Sequence, residues 1–405
     1  MGRKVQISKA VMCVLALILM SIGSLVQGAE GKKDIILGMS TALTGPAADL
    51  GKNMKTGVLA GFDRANRKGG IHGQQLKLLS LDDGYEPVRT APNMRRLIEK
   101  DHVLAVIGNV GTPTAIAAIP IANERQTLLF APFSGAGVLR KSPPDRYIIN
   151  YRASYAEETA AMIDALIHHG QLQLEDIAFF TQRDGYGDAG YTGGVAALLR
   201  HGLKNEHTIM HVRYERNTLA VENSLATILF AKRMPRAIIM VGAYAPCAKF
   251  IRLAQQAGLN ALFLNVSFVG STSLARDLGK ITDNVIVTQV VPHPLESTIQ
   301  VGREYHKDLQ ILDAQQVPTF GGLEGYIAAR IMVKALDTIS GSLSRENLVE
   351  ALEGLGDFTM GLGHTLHFDE NDHQASHMIW PTILRQGEFV PFEWENITHA
   401  TQRDK

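Results

Sequence analysis

The sequence predicts an α/β fold built from two doubly wound lobes, each with a parallel sheet. The chain has 405 residues, more than one ordinary hydrophobic core accommodates. Its composition, 45% hydrophobic and 20% charged, is typical of a compact globular protein. Short β-branched runs alternate with amphipathic stretches, and the alternation starts a second time near residue 154. This pattern predicts parallel βαβ units with helices on both faces of each sheet.

The first series of elements begins at residue 34. Strands are predicted over 34–40, 75–83, 103–109, 127–133 and 147–150, and helices over 48–70, 87–100 and 112–124. The first helix ends at the Gly69-Gly70 pair, a stop signal.

The second series begins with a helix over 154–170, where Ser154 is the predicted N-cap and Glu157 completes a capping box. Strands are predicted over 175–182, 207–214, 236–242, 261–267 and 284–291, and helices over 187–202, 217–233, 245–257, 296–313, 320–340 and 344–354. The segment 363–392 is typical of antiparallel strands joined by polar turns.

Residues 1–28 are predicted to be a secretory signal peptide. Arg3, Lys4 and Lys9 precede an apolar run over 10–20, and Val26-Gln27-Gly28 offers a cleavage site. The run is shorter than the ~20 apolar residues that cross a bilayer, although an uncleaved anchor is the alternative. We therefore expect an exported chain that retains Cys247 as a buried packing residue and forms no internal disulfide.

Several functions find no support in the sequence. The 40 basic and 40 acidic residues form no basic run with interleaved aromatics, so no nucleic-acid partner is expected. No nucleophile, base and orienting residue share a motif, which argues against an enzyme. Four histidines, His364, His367, His373 and His377, cluster late in the chain. His364 and His367 would face opposite sides of a strand, so we expect no metal site, and no cofactor is indicated.

Motifs in a characteristic order resemble a known family. They are Ser40 to Pro46 followed by Leu50-Gly51, Asn66 to Gly73, Asp82-Asp83, Gly111 to Thr114, Tyr186-Gly187-Asp188 and Gly321 to Tyr326. Over about residues 34–392 the chain resembles periplasmic solute-binding proteins of the branched-chain amino acid (Leu/Ile/Val) type. These class I binding proteins deliver ligand to ABC importers. The resemblance implies a periplasmic location, a small solute held between the lobes and a membrane permease as partner.

The resemblance also implies a hinge of three chain crossings, near 150–154, 288–292 and 357–362. The expected first lobe then holds 34–152 plus 290–357, and the second holds 153–289 plus 358–395.

The first lobe is expected to bind a carboxylate. Hydroxyls and free N–H groups at a helix N-terminus suit an anion, and Thr112 and Thr114 stand at such a start. The resemblance implies that the Thr112 hydroxyl contacts the ligand, whereas a plain N-cap is the alternative. It implies further contacts around Phe133, Ser134 and Gly135. Gly135 stands where amino-acid binders carry Thr. Ser134 either supplies the missing hydroxyl from the neighbouring position or is a turn residue.

The second lobe is expected to close over the ligand with Tyr186 and Tyr244. The alternative interpretation is that these two tyrosines are ordinary surface aromatics. Leu50, from the first lobe, replaces an aromatic that the family often carries. Ser267 stands where amino-acid binders place an acid that pairs with the ligand ammonium, and Phe268 follows it.

The missing acid leaves three interpretations open, because a buried ammonium without an anionic partner is unfavourable. Another acid such as Asp184 reaches in, a tyrosine face holds the cation, or the ligand is not an α-amino acid. Phe133 and Phe268 would favour a flat aromatic or aliphatic carboxylate. Two roles also stay open: the solute-binding component of an importer, or a ligand-sensing periplasmic receptor for an aromatic or aliphatic acid or amide, partnered with a signalling protein.

Overall fold

The computed structural model describes residues 33–281 and 284–397, so the expected signal peptide over 1–28 lies outside the described residues. Within the described ranges, no helix has both the length and the apolar character needed to cross a membrane. Two large, separate sheets flanked by helices confirm the predicted α/β architecture, and a third sheet has only two strands.

The first sheet has five strands in the order β2-β1-β3-β4-β5, all paired in parallel. Its strands are β1 (Ile35–Thr41), β2 (Leu76–Asp82), β3 (Val106–Ile107), β4 (Leu129–Phe130) and β5 (Ile148–Ile149). Its helices are α1 (Ala48–Arg67), α2 (Pro87–Arg95) and α3 (Thr112–Glu124), joined by α9 (Gln300–Leu312), α10 (Phe320–Thr338) and α11 (Arg345–Glu353) from later in the chain. We call this unit the first lobe.

The contact between α1 and α10 depends on small residues. A Cβ placed on Gly57 would overlap the carbonyl oxygen of Gly322, and one on Gly325 would collide with the backbone of α1 at Met54. Beyond this contact, Arg64 of α1 donates to Asp308 of α9 at 2.8 Å. The glycines therefore let the two helix backbones approach closely.

The second sheet has seven strands in the order β14-β13-β10-β9-β8-β6-β7. The parallel strands are β6 (Ile177–Gln182), β7 (Met210–Tyr214), β8 (Ala237–Val241), β9 (Leu262–Asn265) and β10 (Val285–Gln289), and the antiparallel edge is formed by β13 (Trp380–Arg385) and β14 (Glu388–Pro391). The helices are α4 (Tyr155–His168), α5 (Gly185–Arg200), α6 (Glu222–Leu229), α7 (Tyr244–Gln256) and α8 (Ser271–Leu278). We call this unit the second lobe.

Local details confirm some of the predictions, and one predicted helix is shorter in the structure. The capping box of α4 forms, with Glu157 N donating to the Ser154 hydroxyl at 3.2 Å. Cys247 is fully buried, as expected, and desolvation raises the pKa of its thiol. The helix predicted over 217–233 spans only Glu222–Leu229, because Asn217 adopts a positive φ of 57° and its side chain reaches Glu86 of the first lobe.

Three segments that join the lobes run side by side. Asn150 N donates to His373 O at 2.7 Å, Ser376 N donates to Tyr151 O at 2.8 Å, and Tyr151 Oη donates to Val290 O at 3.3 Å. The third crossing therefore lies at 373–376 and differs from the predicted position.

The segment predicted to cross, 357–362, belongs instead to a hairpin of β11 (Gly356–Thr359) and β12 (Thr365–Phe368). The Phe368 ring lies 6.5 Å from the ring of Phe130 in β4. The hairpin stays with the first lobe because its apolar side packs on the first sheet.

Candidate functional site

Aromatic side chains from both lobes meet beyond the carboxyl ends of the parallel strands. The ring of Phe268, which follows β9, lies 5.6 Å from that of Phe133, which follows β4. It lies 4.5 Å from Tyr186 at the start of α5 and 5.9 Å from Tyr85 of the first lobe. All four are buried. Three of them are predicted site residues, whereas Tyr85 was missed because only its position after β2 indicates it.

The predicted hydroxyls divide into two groups. Thr112 begins α3, and its Oγ1 lies 2.7 Å from Ser134 Oγ, with both side chains buried. The Thr114 hydroxyl donates to Val110 O at 2.5 Å, so its proton is held by the backbone. The N-cap, Gly111, has a φ of 105°, which favours glycine, and the Tyr85 ring fills the space of its absent side chain.

Gly135 has a steric reason to be glycine. An added Cβ would lie 2.6 Å from both the backbone N and the ring Cδ1 of Tyr155. The Gly135 carbonyl also accepts a hydrogen bond from Tyr155 N at 2.7 Å. Tyr155, which the sequence did not single out, therefore takes the volume of the expected Thr and places its ring 5.2 Å from that of Tyr186.

An acid does stand beside Ser267, supplied by α4. Glu158 accepts from Ser267 N at 2.7 Å, from Ser267 Oγ at 2.9 Å and from Thr288 Oγ1 at 2.6 Å. Arg152 pairs with Glu158 at 3.4 Å and donates to the Ser267 hydroxyl. Desolvation raises the pKa of Glu158, while Arg152 and the hydroxyl donors oppose the rise.

A second buried acid, Glu324 of α10, approaches the same guanidinium. Its Oε1 lies 3.5 Å from Arg152 Nη1, and its side chain is 4% exposed. Desolvation raises the pKa of Glu324 to about 7, against the lowering effect of Arg152. The Arg152 guanidinium also lies 4.9 Å from the centre of the Phe133 ring. The sequence signal that could have indicated Glu324 is an acidic residue among the small residues at the start of a helix.

A cavity of about 20 Å³ lies at this junction. Its lining includes Leu50, Phe133 and Glu324 of the first lobe and Ser267 of the second. Leu50 and Tyr244 approach each other across the interface, on either side of Gly270. A Cβ added to Gly270 would lie 2.6 Å from Leu50 Cδ2 and 3.6 Å from Tyr244 Cδ1.

A larger groove of about 670 Å³ also lies between the lobes, with Thr112 and Gly185 among its lining residues. Asp184, the alternative acid, precedes Gly185; it accepts from Gln182 Nε2 at 2.7 Å and from Tyr186 N at 3.0 Å.

Polar bridges join the lobes on both sides of the aromatic cluster. Asp49 of α1 accepts from Ser273 at 2.7 Å and from Arg276 at 2.8 Å. Glu86 accepts from Arg216 at 2.8 Å and from Asn217 at 2.6 Å. These contacts hold the lobes together in the described conformation.

The late histidines take part in separate contacts. His373 Nδ1 lies 2.9 Å from Ile148 O, and His377 Nδ1 lies 2.6 Å from Glu157 Oε1, a contact that raises the pKa of His377. Among the residues that the structure describes, no group of three His, Cys, Asp or Glu side chains is arranged to hold a metal ion.

The chain belongs to the periplasmic binding protein family, whose model matches residues 34–388. It is 22% identical over 374 residues to a leucine-, isoleucine-, valine-, threonine- and alanine-binding protein of Pseudomonas aeruginosa, covering 91% of this chain and 92% of that protein. Its structure is similar to that of a possible leucine/isoleucine/valine-binding protein from Rhodopirellula baltica SH 1, with 49% identity, a TM-score of 0.88, and coverage of 91% and 99%.

The fold is shared more distantly by an ABC transporter solute-binding protein from R. palustris, solved in complex with benzoate. That structure is 17% identical, with a TM-score of 0.76 and coverage of 88% of this chain and 95% of the other. The fold is therefore that of a class I periplasmic binding protein, and the relatives named here are solute-binding proteins.

Proposed function

We propose that the protein is the periplasmic solute-binding component of an ABC importer and captures a small carboxylate-bearing solute between its lobes. The observation that carries the proposal is the meeting of Phe133 and Phe268, from opposite lobes, beside the paired hydroxyls of Thr112 and Ser134. In open α/β sheets, ligands bind beyond the carboxyl ends of the strands, which is where these residues lie.

The Thr112–Ser134 pair suits a carboxylate. Thr112 opens a helix of 13 residues, whose N-terminus presents unpaired N–H groups and a positive dipole end. The two hydroxyls lie 2.7 Å apart and can both turn their protons toward an anion. Hydroxyl and N–H donors bind the anion without bringing a competing charge into the cleft.

Capture requires the lobes to move. The cavity of about 20 Å³ is large enough for about one water molecule, so a larger solute enters only when the lobes separate or side chains shift. The three parallel crossing segments can serve as the hinge, and a solute that contacts both lobes would favour the closed form. A closed, loaded protein is the form that we expect a membrane permease to receive.

The names of the relatives support an amino acid as the solute, whereas the benzoate complex shows that the fold also accepts an aromatic acid in another protein. A ligand-sensing receptor that uses the same cleft is the second candidate for the role. Uptake of labelled solute by cells with and without this protein separates import from sensing.

Binding itself is tested by thermal unfolding of the chain from residue 29, refolded to remove retained solute, against amino acids, aromatic acids, fatty acids, dicarboxylic acids and amides. A solute at a hundred times its dissociation constant stabilises by ~2.7 kcal/mol and raises the Tm by several degrees. Thr112→Val should weaken binding about tenfold, because one hydrogen bond to a charged group is lost. Thr227→Val, at an exposed position of α6, is the control. Equal affinity in both variants would contradict the proposed carboxylate site.

A further inference from the structure

We infer that Glu324 is a proton switch for opening of the cleft: the neutral acid favours the closed lobes, and the carboxylate favours their separation. The inference goes beyond the proposed function, because it concerns the movement of the lobes and holds for whichever solute the cleft takes. Three features of Glu324 support it: its place between the lobes, its lack of hydrogen-bond donors and a cation that it shares with another acid.

Glu324 is buried where the two lobes meet. Its side chain belongs to α10 of the first lobe and lines the cavity of about 20 Å³ together with Ser267 and Gln289 of the second lobe. The side chain is only 4% exposed in the described conformation. Because second-lobe residues form part of this enclosure, separation of the lobes would admit water. Closure therefore removes the Glu324 carboxyl group from water, and opening returns it.

Few groups are in place to stabilise a charge on Glu324. Arg152 Nη1 lies 3.5 Å from Glu324 Oε1, which is too far for a strong hydrogen bond. No other donor among the residues that the structure describes bonds to this carboxyl group. An ionised carboxylate with so few donors is unfavourable in a buried place, and the neutral acid is tolerated there more easily.

Arg152, the cation beside Glu324, also belongs to a second acid. Its guanidinium pairs with Glu158 at 3.4 Å and donates to the Ser267 hydroxyl, which itself donates to Glu158. Glu158 accepts a further hydrogen bond from Thr288. These partners are part of the second lobe and would move with it. We therefore expect opening to leave Arg152 with Glu158 and to separate it from Glu324.

The charged and titratable groups that face Glu324 make its pKa depend on closure. Desolvation raises the pKa of Glu324 to about 7, against the lowering effect of Arg152. Glu158 raises this pKa and Arg140 lowers it, both by smaller amounts. The Tyr151 phenol also faces Glu324, and burial raises the pKa of the phenol, so it stays neutral. In contact with water, the Glu324 pKa would return toward the ordinary range of a glutamate.

The direction of the effect follows from proton linkage. The closed form holds the Glu324 proton more tightly than an open form, so a fall in pH favours closure and a rise favours opening. Between the ordinary glutamate pKa of about 4.3 and the value of about 7, the ratio of open to closed molecules should increase by up to about tenfold per pH unit. Above about pH 7, Glu324 is ionised in both forms and the ratio should level off.

Small-angle scattering without added solute tests the inference, on the chain from residue 29 after refolding to remove retained solute. The radius of gyration should increase from pH 5 to pH 8, while circular dichroism shows that the chain stays folded. Glu324→Gln, which is neutral and of nearly the same shape, should stay compact across this range. Glu304→Gln is the control, because Glu304 is a first-lobe acid paired with Arg330, and its pH response should equal that of the wild type.

A second titrating contact, near the third crossing, provides the sharpest comparison. His377 Nδ1 lies 2.6 Å from Glu157 Oε1, a contact that raises the pKa of His377 and that weakens when its proton is lost at high pH. His377→Gln should keep the pH response of the wild type. A response that survives in Glu324→Gln, or that disappears in His377→Gln, would overturn the inference.

The wild-type profile decides the matter even if Glu324→Gln does not fold. A radius of gyration that is constant with pH, or that increases as the pH falls, would contradict the switch. Failure of every solute to stabilise the protein in thermal unfolding would instead count against the proposed function, and it would leave the pH response of the lobes unaffected.

Discussion

Arg152 is the largest fully buried side chain among the described residues, and its guanidinium contacts carboxylates from both lobes. Glu158 belongs to the second lobe and Glu324 to the first, so this one side chain connects them at the hinge. Its Nε and Nη1 atoms have no hydrogen-bond partner within the described part of the chain. Such a group is held by charge rather than by complete hydrogen bonding, which makes the site sensitive to any change in its charges.

Arg152→Met should lower the free energy of unfolding by about 3–5 kcal/mol at pH 7, because two buried carboxylates lose their cation. Urea unfolding measures the loss, with Arg95→Met on the exposed face of α2 as the control. Without the cation, the folded-state pKa values of both acids rise further above their unfolded values. The folded variant then binds more protons than the unfolded chain, so its deficit should be smaller at pH 5 than at pH 8. A deficit that does not change with pH would contradict this account.

At the scale of elements, the contact between α1 and α10 fixes the shape of the first lobe. Gly57 faces the backbone of α10, with no space for a side chain. Gly57→Ala should force the helices apart and destabilise the protein by about 3 kcal/mol, the upper range for overpacking. The helix propensity of alanine, better than that of glycine by about 1 kcal/mol, offsets only part of this loss.

Thermal unfolding checks this result, with Gly137→Ala as the control. Gly137 begins a short 3₁₀ turn and a Cβ there meets no atom within 4 Å. Equal midpoints for the two variants would show that the helix contact can relax.

The sequence predicts the elements well where hydrophobic periodicity is local, as in α4 and in the parallel strands. It misplaces elements where a distant partner decides. The region after β7 reads as helix, but Asn217 leaves the helix to reach Glu86. The sequence predicts a chain crossing within the segment that forms the hairpin of β11 and β12. The contact between Phe368 and Phe130, which holds the hairpin on the first lobe, leaves no local pattern in the sequence.

The same reason limits prediction of the site. Positions after strands and at helix starts were identifiable, including Thr112, Phe133 and Phe268. The buried group of Arg152, Glu158 and Glu324 was not, because its members are far apart in the sequence and no spacing connects them.

At the scale of the whole molecule, the bridges between the lobes set how easily the cleft opens. Glu86 links the first lobe to Arg216 and Asn217 of the second. Glu86→Ala should shift the unliganded protein toward open forms and weaken solute affinity about two- to fivefold, the effect of a partly exposed ion pair. The radius of gyration from small-angle scattering should increase, and solute should dissociate faster.

Glu215→Ala is the matched control, because Glu215 pairs with Arg183 within the second lobe at 2.6 Å. It should change neither the scattering nor the dissociation rate. Identical behaviour of both variants would mean that the Glu86 bridge does not influence opening.

The burial of Cys247 has a practical consequence. Its thiol is inaccessible and desolvation raises its pKa, so alkylating dyes should leave it unmodified. New cysteines at Val88 of α2 and at Phe230 beyond α6, 81% and 90% exposed, would then be the only reactive ones in a chain that begins at residue 33. A donor and an acceptor fluorophore at these positions would report the distance between the lobes, which turns the protein into an optical sensor of its own solute.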